Sequence, residues 1–122
     1  MELTALAVAL TILAALAFLQ VAVACGAPFG KLVWGGAHRV LPARLRAASA
    51  ASVLLYAGFA WVLIDRAGSA PGGLARIVSW VLFGYFCLGI VMNLASRSRA
   101  ERWTMASACV VLAIATLALA LS

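Results

Sequence analysis

LTALAVALTILAALAFLQVAVAC, residues 3–25, is an uncharged run of 23 residues. A helix rising 1.5 Å per residue crosses about 30 Å of hydrocarbon in about 20 residues, so this run spans a bilayer with some tilt. Three further apolar runs follow it, and the spans are expected at about 3–25, 47–64, 77–95 and 103–121. With 67% apolar and 10% charged residues in 122, the chain has more apolar surface than a soluble protein of this size can hide. The fold class is therefore all-α, an integral membrane four-helix bundle with antiparallel up-down neighbours, in a single transmembrane domain. The first run is read as a retained span, because Glu2 is acidic and no Lys or Arg precedes it as in a secretory signal.

The longest break between the spans reads GAPFGKLVWGGAHRVLPARLR, residues 26–46. Its glycines and prolines forbid a continuous helix, while Phe29, Leu32, Val33 and Trp34 are too apolar to hang in water. A loop lying in the headgroup layer or folded back on the bundle satisfies both, with Trp34 as an interfacial anchor. It carries Lys31, His38, Arg39, Arg44 and Arg46. The third connection, SRSRAER at 96–102, adds Arg97, Arg99 and Arg102 around Glu101, which i, i+4 spacing would pair with Arg97 on a helix.

Net charge is +6, and it is concentrated beside the spans. The first and third connections hold seven Lys and Arg against two, Arg66 and Arg76, on the other side. The positive-inside rule then places those two connections in the cytoplasm and both termini outside. No basic helix stands clear of the membrane, so nucleic acid is not an expected partner. Anionic lipid headgroups are, and alanines at Ala5, Ala7, Ala9, Ala14, Ala15 and Ala17 favour a homo-oligomer or a membrane complex.

Within the spans the polar side chains are few. Gln20 needs a partner in hydrocarbon, and Ser49, Ser52 and Tyr56 share one helical face. Tyr85, Gly89, Asn93 and Arg97 are spaced by four and form a stripe growing more polar toward Arg97. Asp65 and Arg66 are adjacent and suit a local ion pair of little energetic weight. Cys25, Cys87 and Cys109 lie far apart and read as packing residues; with a single histidine they leave no zinc set, and no metal or other cofactor is expected.

Gly26-Ala27-Pro28-Phe29-Gly30, Trp34-Gly35-Gly36, His38, Leu41-Pro42 and Leu45-Arg46, followed by Met92-Asn93-Leu94, Ser96-Arg97-Ser98 and Glu101-Arg102, resemble an uncharacterised group of small four-span bacterial inner-membrane proteins. The resemblance implies a fold, a compartment and a pairing of the two loop motifs, and no mechanism. Small multidrug-resistance transporters share the size and span count, but they carry an essential acid in the first span, where this chain has only Thr4, Thr11 and Gln20.

Three functions are compatible with these residues. The leading one is a non-enzymatic oligomeric or accessory component whose basic loops bind lipid headgroups or a partner. Its candidate binding residues are Lys31, Trp34, His38, Arg39, Arg44, Arg46, Tyr85, Asn93, Arg97, Arg99, Glu101 and Arg102. The alternative is a channel or facilitator for an anionic or small polar solute, lined by Tyr85, Asn93 and Arg97. The third is an enzyme acting on a headgroup or small anion, with His38 as acid or base.

Overall fold

The computed structural model describes residues 2–68 and 73–121. They form four long helices, α1 (Glu2–Ala24), α2 (Ala43–Ala67), α3 (Gly73–Leu94) and α4 (Arg99–Leu121), with two single 3-10 turns at Gly30–Leu32 and Trp34–Gly36. All four are long and apolar enough to cross a membrane. Their outer surface fits one, since Leu3, Phe18, Leu54 and Trp61 are each at least 76% exposed, a state that water would penalise and lipid does not. The chain is a multi-pass membrane protein built as an all-α four-helix bundle.

The closest pairings are α3 with α4 and α1 with α2, and α4 also packs on α1. Close approach to α4 is permitted by small side chains, because Ala106, Ala113, Ala115, Thr116 and Ala120 are buried along it. On α1 the alanines do less than their number suggests. Ala9 is buried and Ala5 partly so, but Ala7, Ala14 and Ala15 face outward. The core itself joins Leu13, Leu63, Leu82, Phe86, Leu112 and Leu119 from all four helices.

Helix ends are set by local chemistry. Gly26, with φ +98°, lets Ala27 N–H reach Ala22 O and Gly26 N–H reach Val23 O, a Schellman ending that stops α1. Pro42 precedes α2 in extended conformation, and its carbonyl accepts Leu45 N–H and Arg46 N–H. Residues 43–46 thus belong to the first turn of α2, four residues earlier than the expected span, because a helix continues past the hydrocarbon while its N–H groups find carbonyls. For the same reason α4 begins at Arg99 instead of 103, with Ser98 Oγ accepting Glu101 N–H at 3.3 Å as an N-cap.

Candidate functional site: the basic face at the loop end

The connections 25–42 and 95–98 lie at one end of the bundle and touch. Ser98 Oγ donates to Lys31 O at 2.5 Å. Gly36 packs so close to Ser98 that a Cβ there would lie 2.8 Å from its Oγ. The two loop motifs therefore form one surface.

The longer connection is a strap folded over the helix ends. Gly30 N–H bonds to Arg39 O at 2.8 Å and closes the strap on itself. Part of its apolar surface turns inward, where Val33 and Leu41 join Val23 in a small second core flanked by Leu19, Leu32, Leu45 and Met105, while Phe29, Trp34 and Val40 are exposed. Trp34 is the one non-glycine residue described at positive φ, +53°, a conformation that costs about 1–2 kcal/mol. It is held there by its indole Nε1–H, which donates to Ser49 Oγ at 2.9 Å, and Ser49 is fully buried. Ser49 was legible only as one of three hydroxyls on a face. Ser52 instead donates to Ala48 O of its own helix.

Apart from Arg76, exposed in the first turn of α3 at the opposite end of the bundle, the cations fall into two sets. Three arginines close helix C-termini, where unsatisfied carbonyls and the helix dipole favour positive charge. Arg46 Nε donates to Ala24 O at 2.7 Å, at the end of α1. Arg102 donates from Nε and a terminal nitrogen to Ser96 O, at 3.2 and 3.1 Å, just beyond α3. Arg66, at the opposite end of the bundle, is buried and donates to Ala120 O of α4 at 3.2 Å. Arg66 thus turns inward to a backbone carbonyl rather than serving only a local pair with Asp65. The second set is Lys31, His38, Arg39, Arg44, Arg97 and Arg99. All six are exposed and form no hydrogen bond or ion pair with another described side chain or carbonyl.

Glu101 does not pair with Arg97. Its carboxylate is buried and accepts Ser96 Oγ–H at 2.6 Å, while Ser96 Oγ accepts Ser98 N–H at 3.2 Å. The sequence S-x-x-E at 98–101 is a capping box with a serine hydroxyl interposed. The expected pairing fails because α4 starts at Arg99, so Arg97 lies off the helix that would have set the i, i+4 spacing. The same break ends the stripe on α3, where Ser96 N–H already closes on Asn93 O. Within α3 the stripe divides as well. Asn93 Nδ2 donates to Gly89 O at 2.8 Å and touches Cys109 Sγ at 3.6 Å, cross-linking α3 to α4. Tyr85 is 47% exposed and meets Phe59 of α2 edge-on, 5.3 Å between ring centres.

All three cysteines are free thiols; Cys87 and Cys109 are half-buried, whereas Cys25, expected to pack, is exposed just past α1. Comparison with protein-family models, curated proteins and solved structures gives no match to this chain.

Proposed function

We propose that the chain is a non-enzymatic membrane component, oligomeric or accessory, whose loop end binds the phosphate of anionic lipid headgroups. The observation that carries this reading is the sorting of the cations. Arg46 and Arg102 are used by the fold, but Lys31, His38, Arg39, Arg44, Arg97 and Arg99 are exposed at the same end of the bundle. The only acid in these connections, Glu101, is buried on Ser96 and offers that face no counter-charge.

The N-terminus of α2 adds to it. Basic residues in a first helical turn oppose the dipole by about 0.3–1 kcal/mol each. Here Arg44 and Arg46 occupy that turn, no acid does, and no side chain caps it. An external anion would satisfy both the N–H groups and Arg44. The excess of seven Lys and Arg over two on the opposite side would put this face in the cytoplasm, against the anionic leaflet.

Spin-labelled phosphatidylglycerol and phosphatidylcholine, each added to the protein in bilayers, test the proposal. Each Lys or Arg near the surface contributes about 1 kcal/mol to anionic lipid attraction. Several-fold preference for phosphatidylglycerol is expected, falling as salt rises. Equal association of the two lipids at low salt refutes it.

A further inference from the structure

Phe29 and Val40 are 52% and 50% exposed, although the strap that carries them buries Val33 and Leu41. The backbone brings the two together. Gly30, buried between its neighbours, donates to Arg39 O at 2.8 Å, and a Cβ on it would fall on the His38 carbonyl oxygen. The arms 29–31 and 38–40 therefore lie backbone to backbone and form one tip. Trp34, the third exposed apolar residue of the strap, is tied back to Ser49 and takes no part in it.

The depth of the tip follows from its neighbours. Leu41, next to Val40, is buried in one cluster with Val23, which lies in the last turn of α1. At 1.5 Å per residue the 23 residues of α1 measure about 34 Å, slightly more than the hydrocarbon thickness of about 30 Å. Val23 thus stands at the boundary between acyl chains and headgroups, and the strap packed on it lies at that level. Around the tip, Lys31, His38 and Arg39 are exposed. Glu101, the acid of these connections, is buried on Ser96 and gives them no counter-charge. Apolar side chains set among cations at the membrane boundary are the pattern of an interfacial anchor.

We propose that this tip inserts into the leaflet: Phe29 and Val40 enter its outermost acyl layer, while Lys31 and Arg39 lay their stems along it and keep their charges at the phosphates. The inference rests on the reading of the loop end as a lipid-binding face and extends it from charge to depth. A water-soluble partner could cover Phe29 and Val40 only by displacing lipid at that level.

Fluorine NMR of the full chain in bilayers tests the proposal, with para-fluorophenylalanine placed at Phe29 alone or at Phe18 alone. Phe18 is the lipid reference, since it is 77% exposed on the outer face of α1. The bilayers are phosphatidylcholine at high salt, where headgroup charge contributes little. Broadening of the Phe29 signal by a lipid carrying a nitroxide just below its glycerol should exceed broadening by a water-soluble gadolinium chelate several-fold, as at Phe18. Stronger broadening by the chelate would put the tip in water and overturn the proposal. Protection from both agents would overturn it too, by showing that a second copy or another protein covers the tip. Phe29 inserted without any preference for phosphatidylglycerol would sink the headgroup reading alone, and the preference without insertion would sink only this one.

Discussion

Gly30→Ala should release the strap while leaving the four helices folded. A Cβ at Gly30 would fall on the His38 carbonyl oxygen and 2.7 Å from Arg39 O, both backbone atoms that no side-chain rotation can move. The strap must part there, losing the bond from Gly30 N–H to Arg39 O, about 1 kcal/mol. It also loses burial at Val33 or Leu41, now 4% and 3% exposed, at about 1.5–3 kcal/mol for whichever emerges. A total of about 3 kcal/mol shifts the closed-to-open ratio roughly a hundred-fold. Hydrogen exchange of the Val33 and Gly36 amides, which bond to Gly30 O and Val33 O, reads that ratio directly. Gly35→Ala is the control. Gly35 has φ +77° but nothing within 4 Å of its Cβ position, so only the conformational cost of about 1–2 kcal/mol applies. Exchange in Gly30→Ala no faster than in Gly35→Ala would refute the steric account of strap closure.

Other substitutions separate fold from face. Arg46→Gln removes the cap on Ala24 O and should lower stability by about 1 kcal/mol, whereas Arg44→Gln should leave stability level or raise it by up to about 1 kcal/mol, through the relieved charge at the start of α2, and reduce anionic lipid association. Equal midpoints for the two would remove the distinction between capping and outward arginines. Trp34→Phe leaves the buried Ser49 hydroxyl without its donor and keeps the left-handed backbone; protection of the Gly36 amide should drop by about tenfold, the equivalent of about 1.4 kcal/mol. Glu101→Ala should destabilise by about 1–3 kcal/mol through Ser96, and Arg97→Gln should not, which thermal melts of the two variants will show. A matching loss in both would restore the Glu101–Arg97 pairing that the geometry lacks.

The bundle was legible because hydrocarbon imposes one rule along the chain: an uncharged run from Leu3 to Cys25 has to be a helix, and three more such runs fix the number of spans. Gly26 and Pro28 likewise marked where α1 stops. The pairing of the two loops was foreshadowed by their common side but fixed by contacts, Ser98 on Lys31 O and on Gly36, that join residues 60 or more positions apart. What the sequence could not separate was one arginine from another. Arg44 and Arg46 look alike as text, yet Arg46 reaches Ala24 O because the Schellman turn at Gly26 leaves that carbonyl open toward the first turn of α2. Glu101 was misassigned for a related reason. Its partner depended on whether α4 began before or after Arg97, and helix starts are the least determined feature of a polar stretch. S-x-x-E at Ser98 was the available signal, and it marks the start correctly. Gln20 read properly as an amide needing a partner; that its Oε1 accepts no hydrogen bond from the described residues is a property of packing.

The central claim is that the outward cations bind anionic headgroups while the capping arginines do not. Native mass spectrometry of the protein released gently from its membrane tests it, comparing the original chain with one carrying Gln at Lys31, Arg39, Arg44, Arg97 and Arg99. The account predicts discrete anionic phospholipid adducts on the original that are lost from a folded variant. The same adducts on both chains, or none on either, would contradict it.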